Sequence, residues 1–295
     1  MSALSTHDDF ETDGARAGVE FGQSAEGFPV ARIGDMVLAM LPLADGAYLG
    51  SACFVRRPLT ELKRADFYGH DGRLTDEDEF RGRVHETAGH RRELHALGRV
   101  QTRMAASTPW GSSQLATIYG SGVIAHSTAG HGGFHLSADR NRLVDPSLRK
   151  DSSWYEEDSE WAIVALTFPD LFTAYELKCA DETIRHCWPE AWERIHGRIL
   201  VAGESNSKDR HAFEEAHADD WVAISAIYSG QHAGMTEVVA TKGGLRGADA
   251  ERRFLVPSKD YSTRGPIGFV IDETRHRSYD GPSSFVGWRE RTSVV

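Results

Sequence analysis

The sequence predicts an α+β fold, in which strands and helices occupy separate stretches of the chain. Three observations carry this prediction. Short apolar runs typical of strands lie between residues 28 and 55 and between residues 105 and 127. A polar stretch with helical periodicity separates these runs, and further helical segments follow from residue 153. Strand-like alternation returns after residue 220, so the larger domain carries strands at both ends and helices in its middle.

This pattern divides the 295 residues into three regions. Residues 1–27 are polar and acidic and lack apolar periodicity, which predicts a mobile tail. Residues 28–104 are predicted to form a small β unit followed by a polar helix. Residues 105–288 are predicted to form the main α+β domain.

The small unit begins with two predicted strands around a turn at Gly34–Asp35, and β character continues through Val55. Its helix has a start signal at Thr75 and an acidic first turn at residues 76–79, which suits the positive end of the helix dipole. The apolar stripe of this helix is thin, so we expect it to be mostly solvated or to lie on a partner.

The main domain begins with a predicted hairpin around Gly120–Gly122, and Ser137 is the expected N-cap of a short helix. The clearest helix prediction runs from Ser153 to Phe168, because Ser153 and Glu156 match a capping box and a proline follows Phe168. Further helices are predicted at 170–178, 189–196 and 207–220, and strands at 221–229, 235–242, 252–257 and 265–272.

Composition excludes several classes of function. The formal net charge of −11 provides no basic footprint, so direct nucleic-acid binding is not expected. No apolar run approaches the roughly 18 residues of a membrane span, and the acidic N-terminus does not have the pattern of a signal peptide. Three cysteines fit a reducing compartment. We therefore expect a cytoplasmic protein without a membrane partner.

The stretch AGHGGF around His131 is the main candidate for a binding turn. Gly130, Gly132 and Gly133 allow positive φ and close approach of a ligand, and successive N–H groups in such a turn can bind an anion. His131 is a candidate acid or base, and His135 lies four residues further on. A tight structural turn explains the same residues equally well.

Glu157 and Asp158 are the carboxylates predicted to complete this site, because both lie beside the apolar face of the predicted helix. The hypothesis is that the glycine turn holds a phosphate, His131 transfers a proton and one of the carboxylates orients the imidazole. It requires the turn and the start of the helix to converge in space. Trp110 and Tyr155 are candidates to stack a base there, although such residues more often belong to a core.

A metal centre is not predicted from the sequence. The two histidines of HETAGH are five residues apart, whereas the helical zinc motif needs histidines four apart. A second set matches no standard ligand spacing: His126, His131, His135 and Glu157. The sequence identifies no cofactor.

Several sequence blocks of the main domain, taken together, carry a resemblance to a known domain family. They are TPWG (108–111), HSTAGHGGFHLS (126–137), WYEEDSEWAIVALTFP (154–169), HADDWV (217–222) and RRFLVPSKDYSTRGPIGFVID (252–272). Together they resemble an uncharacterised domain family of bacteriophage and plasmid genomes that has no assigned function. The resemblance covers residues 105–275 and implies a protein of a mobile element, without implying any chemistry.

Two functions from different classes remain open. The first is a phage or plasmid accessory protein that binds a host protein, which the acidic charge and the lack of a complete catalytic motif favour. The second is a small hydrolase or transferase that acts on a phosphate-bearing or nucleotide substrate through a His–carboxylate pair. A pocket joining Gly132, His131 and Glu157 would favour the enzyme, and a flat exposed face would favour the binding protein.

Overall fold

The computed structural model describes residues 18–247 and 250–285. They fall into two compact units, one ending at Ile184 and the other beginning at Arg185. Within the described residues, helices and antiparallel sheets occur in similar proportions, which confirms the predicted α+β class. None of the described helices is long and apolar enough to cross a membrane. The predicted domain boundary at residues 104 and 105 stays a prediction.

The first unit begins with a five-stranded antiparallel meander. Its strands, in sequence and in spatial order, are β1 (Val19–Gln23), β2 (Pro29–Ile33), β3 (Met36–Leu43), β4 (Gly46–Cys53) and β5 (Gly69–Leu74). The predicted turn joins β2 to β3, and Gly34 adopts φ 61°, which glycine tolerates without a Cβ penalty. Strand β1 corrects the predicted tail of residues 1–27, because its backbone pairs along the whole of β2. Residues 1–17 of that tail lie outside the described residues.

Helix α1 (Glu77–Leu97) lies where the polar helix was predicted, and its apolar stripe packs on one face of the meander. Asp76 caps it, one residue after the predicted start signal at Thr75. The apolar stripe is thin, and its buried members are Phe80, Val84 and Ala88. The opposite face of the meander packs on residues of the β4–β5 connection and its neighbours, namely Phe28, Leu59, Leu62 and Phe67.

The second sheet of this unit carries the candidate site. Its strands are β6 (Val100–Thr102), β9 (Leu115–Gly120), β10 (Val123–Ser127), β11 (Gly132–Leu136) and β12 (Trp154–Glu156), and a separate two-stranded ribbon consists of β7 (Ser107–Thr108) and β8 (Gly111–Ser112). The spatial order is β12, β11, β10, β9, β6, and all neighbours are antiparallel. The hairpin between β9 and β10 turns at the predicted glycines, where Gly122 has φ 74°.

The predicted helix from Ser153 to Phe168 is wrong in its first half. Residues 154–156 form the edge strand β12, which pairs with β11, and Ser153 has φ 60°, far from helical values. Pairing buries Tyr155 completely, and its hydroxyl donates to Asn141 Oδ1 at 2.6 Å. The capping-box match is a local signal, whereas this burial depends on a distant strand and outweighs it.

Helices follow on one side of the second sheet. They are α2 (Ala138–Asn141), α3 (Trp161–Thr167) and α4 (Ala174–Cys187). Ser137 caps α2 as predicted, and α3 ends before the proline at position 169. The helix predicted at 170–178 instead begins at Ala174, because Glu176 and Thr173 cap each other there, and it extends to Cys187.

The second unit contains a helical part and a four-stranded antiparallel sheet. Its elements are α5 (Pro189–His196), α6 (Asn206–Ala216), β13 (Trp221–Tyr228), β14 (Met235–Lys242), β15 (Arg252–Pro257), α7 (Ser258–Ser262) and β16 (Arg277–Ser278). Helices α5 and α6 and strands β13 to β15 confirm the predictions. The strand predicted at 265–272 is reduced to one bridge between Val270 and Val222 of β13.

Candidate active site

The turn that carries His131 joins β10 to β11 and is closed by the side chain of Thr128. Thr128 Oγ1 donates to the His131 carbonyl oxygen at 2.6 Å. Thr128 Oγ1 also accepts from the N–H groups of Gly130 at 3.4 Å and His131 at 3.3 Å. Because these two amides already have an acceptor inside the turn, they do not form the predicted anion-binding concavity.

Gly132 and Gly133 act by being small rather than by adopting positive φ, which none of the three glycines of the turn does. A Cβ on Gly132 would lie 2.4 Å from Glu157 Oε2 and 2.8 Å from the His126 carbonyl oxygen. A Cβ on Gly133 would lie 2.3 Å from the Tyr155 carbonyl oxygen and 2.4 Å from the Trp110 ring. Gly132 therefore makes room for a carboxylate, and Gly133 makes room for the edge strand and an indole ring.

The turn and the acidic segment meet at one edge of the sheet, which is the convergence that the site hypothesis required. His131 Nδ1 lies 4.0 Å from Glu157 Oε1 and 3.7 Å from Glu156 Oε1. Strand pairing causes this, because Glu156 is the register partner of Gly133 and the Glu157 N–H donates to the Gly132 carbonyl oxygen. The structure replaces the predicted helix start with a strand end and still brings the two segments together.

Asp158 and Glu156 exchange the roles that the sequence suggested. Asp158 is exposed and outside the His131 cluster, and its N–H donates to Glu156 Oε2 at 2.8 Å. Glu156, assigned to a capping box by sequence reasoning, is mostly buried and has its Oε1 atom facing His131. That oxygen is buried and has no hydrogen-bond partner among the described residues. No local sequence pattern marks this strand, because it forms by pairing with β11.

The His131, Glu156 and Glu157 side chains also have the composition of a metal-ligand set. Each offers one ligand atom, and these atoms all lie within 4.8 Å of one another. Among the described residues, neither glutamate forms an ion pair with a lysine or arginine. Imidazole nitrogen together with two carboxylate oxygens suits divalent first-row metals.

A cavity of about 260 Å³ lies beside this edge, between the sheet and the layer of α3 and α4. Its aromatic lining consists of Tyr119, Phe134, Trp161 and Phe172. Its polar lining includes Thr117, Ser127, Glu157 and Glu176. Glu157 is thus a wall residue of the cavity and a neighbour of His131 at the same time.

An ion pair fixes the floor of the cavity. The Arg99 guanidinium donates to both carboxylate oxygens of Glu176, at 2.8 and 2.6 Å, and lies 3.9 Å from the centre of the Tyr119 ring. Burial raises the pKa of Glu176, but hydrogen bonds from Arg99 and the Thr173 N–H outweigh it, so this pKa lies below its usual value. Burial also raises the pKa of Tyr119, which keeps its hydroxyl protonated at the cavity wall.

Three of the predicted binding residues do not line the cavity. His135 and Trp110 pack on Trp154, with ring centres 4.6 and 5.8 Å apart. Tyr155 has no exposed surface and serves the core, so it does not stack a ligand. Burial lowers the pKa of His135 and of His126, which also packs on Trp154.

The fold and the site thus define an α+β protein with a small aromatic cavity bordered by one histidine and two carboxylates. Residues 103–218 match the model of a domain of unknown function, DUF7007. No curated protein and no solved structure matches the chain. The match covers the cavity and the edge cluster and supports the predicted uncharacterised domain, whereas the predicted phage or plasmid origin stays a prediction.

Proposed function

We propose that the cavity and the adjoining edge cluster form the active site of a small hydrolase or transferase acting on a nucleotide or a similar phosphate-bearing substrate. The observation that carries this proposal is that Glu157 belongs both to the cavity wall and to the edge cluster. Its carboxylate lines the cavity and lies 4.0 Å from His131 Nδ1. A substrate ring held in the cavity would bring its reactive group to a histidine and two carboxylates.

The cavity supports the aromatic part of the substrate class. Its volume of about 260 Å³ lies just below the range for small-molecule sites, about 300–1,000 Å³, so it suits one ring system rather than a whole nucleotide. Four aromatic side chains offer stacking and edge contacts, and Thr117 and Ser127 offer hydroxyl groups. The sugar and phosphates would then lie at the edge beside Glu157.

The edge residues supply complementary proton-transfer roles. Glu157 takes the proton of an attacking water or hydroxyl group as the new oxygen–phosphorus bond forms. The bond from phosphorus to the leaving oxygen breaks, and His131 gives that oxygen a proton. Water as the attacking group makes the reaction a hydrolysis, and an acceptor hydroxyl makes it a transfer.

Calorimetric titration with ATP, GTP, CTP and UTP tests the proposal, with a pocket-filling variant beside a matched control. Ala125 lines the cavity and Ile124 is its neighbour on the opposite sheet face. Ala125→Leu fills space that the ring would occupy, so we expect it to weaken binding at least about tenfold, whereas Ile124→Leu leaves binding unchanged. Unfolding temperatures of both variants check that the fold is intact.

Either of two results would overturn the enzyme proposal: no nucleotide binds, or the two variants bind alike. The predicted role as a mobile-element accessory protein that binds a host factor would then be the remaining proposal, supported by the acidic net charge.

A further inference from the structure

We infer that His131, Glu156 and Glu157 hold one divalent first-row cation, with Mn²⁺ or Zn²⁺ as the fitting ions, and that the site works through it. The inference rests on the proposed function, since it concerns the same edge of the sheet. It differs from the sequence prediction, which found no metal centre because Glu156 and Glu157 belong to a strand end that the sequence does not reveal.

The first argument is the unused hydrogen-bonding capacity at this edge. Glu156 Oε2 accepts the Asp158 N–H, but Oε1 is buried and has no hydrogen-bond partner among the described residues. A buried carboxylate oxygen without a partner is costly, because it has given up water without replacement. His131 Nδ1 is the nearby nitrogen at 3.7 Å, too far for a hydrogen bond. A cation between the two atoms would satisfy both.

The second argument is charge. Glu156 and Glu157 are consecutive, both face His131, and within the described residues neither has a lysine or arginine as an ion-pair partner. Lys150, the nearby cation of this segment, is paired with Glu160 instead. Two uncompensated carboxylates would repel the phosphate groups of a nucleotide. A dication removes that repulsion and explains how an acidic edge can serve a phosphate-bearing substrate.

The third argument is distance. Two metal–ligand bonds of about 2.1 Å span about 3.4 Å at a tetrahedral angle and about 4.2 Å when they are opposite. The separations of 3.7 and 4.0 Å from His131 Nδ1 to the two carboxylate oxygens lie between these limits. Gly132 contributes by leaving space for the Glu157 carboxylate, which a Cβ would meet at 2.4 Å.

Exposure leaves room for further ligands. The His131 and Glu157 side chains are 58% and 48% exposed, so the outer side of the cluster is open to water and substrate. A site with open positions is typical of catalytic rather than structural metals. When bound, the cation would supply an activated water and a counter-charge for phosphate. In that form the three side chains are ligands, so His131 and Glu157 would not transfer protons directly. Activation of water by the cation would take the place of that step.

The test is calorimetric titration of the full-length protein with MnCl₂ alone and with ZnCl₂ alone, after dialysis against EDTA and removal of the chelator. We expect one cation per chain. Glu156→Gln, Glu157→Gln and His131→Ala should each weaken binding at least about tenfold, since each removes a ligand. Asp158→Asn is the matched control, because it removes a neighbouring charge outside the cluster, and it should leave affinity within about twofold.

Two results would overturn the cation site: neither ion binds to the wild type, or Glu156→Gln and Asp158→Asn weaken binding equally, which would indicate diffuse attraction to surface charge. Circular dichroism of each variant confirms folding. Titration of ATP in the presence of EDTA separates this inference from the proposed function. Nucleotide binding without any cation site would leave the function standing, and a cation site without nucleotide binding would leave only the metal centre.

Discussion

Glu237 of the second unit and Glu156 of the first are both carboxylates on strands, yet their surroundings are opposite. Glu237 has no exposed surface, and its oxygens accept from Arg253 Nη1 at 3.0 Å, Ser283 Oγ at 2.7 Å and the Ser284 N–H at 2.7 Å. Glu156 is partly exposed and accepts one backbone N–H, and one of its buried oxygens has no partner among the residues that the structure describes.

The number of hydrogen-bond partners distinguishes the structural role of Glu237 from the role proposed for Glu156. Burial raises the pKa of Glu237, but hydrogen bonds from Ser284, Ser283 and Arg253 outweigh it, so this pKa lies below its usual value. Every oxygen of that carboxylate is committed to holding the last described residues against β14. Glu156 makes few contacts of this kind, and the proposed cation would supply the partner that its Oε1 atom lacks among the described residues. A complete set of partners, as at Glu237, is typical of a structural carboxylate.

Removing each carboxylate is the strongest way to break this comparison. Glu237→Ala leaves the buried Arg253 guanidinium without its carboxylate, so we expect a loss of about 3–5 kcal/mol in the free energy of unfolding. Glu156→Ala should lose about 1 kcal/mol or less, because within the described residues its carboxylate accepts a single hydrogen bond, from the Asp158 N–H. Urea unfolding followed by circular dichroism measures both.

A double variant, Glu237→Ala with Arg253→Met, serves as the control for the charge argument. It removes both charges and should be more stable than Glu237→Ala alone. Equal losses for Glu237→Ala and Glu156→Ala would show that the number of partners does not distinguish the two carboxylates.

The next effect concerns the backbone beside Glu156. Gly133→Ala places a Cβ 2.3 Å from the Tyr155 carbonyl oxygen, so β11 and β12 must separate, at a cost of about 1–3 kcal/mol. Gly130→Ala is the matched control in the same turn, because no atom of the described part of the chain lies within 4 Å of its Cβ position. Thermal unfolding should show a clear decrease for the first variant and almost none for the second. Equal stability of the two would mean that the edge strand does not need the glycine.

Much of the fold was predictable because it follows from local signals. The hairpins at Gly34 and Gly122 and the helix ending at Gly197 were found from turn residues and periodicity. The edge strand β12 was not, because a capping-box pattern at Ser153 and Glu156 is complete without any tertiary contact. What decides the outcome is pairing with β11, which no local pattern records.

The site divides in the same way. His131 and Glu157 were predicted as partners, and the structure places them 4.0 Å apart, although on a strand end instead of a helix. Tyr155 and Glu156 were assigned the reverse of their positions, since the helical reading gave the wrong face to each. A period of two instead of 3.6 puts Tyr155 in the core and Glu156 at the edge beside His131.

The smallest expected effect is a change in stability with pH. It comes from His126 and His135, whose rings pack on Trp154 in the first unit. Burial lowers the pKa of both rings, and His135 adds to the lowering at His126. The unfolded chain therefore binds protons at a higher pH than the folded chain, from about 6.5 downwards. Stability is present above that pH and is lost as the pH falls through the folded values.

Urea unfolding followed by tryptophan fluorescence at about pH 7.5 and about pH 5.5 measures this loss. The double variant His126→Gln with His135→Gln should lose less stability on acidification than the wild type, because two of the groups that gain protons on unfolding are gone. Burial lowers the pKa of His276 in the second unit as well, so part of the loss persists in the variant. An identical loss in both proteins would mean that protonation of His126 and His135 does not contribute to the loss of stability on acidification.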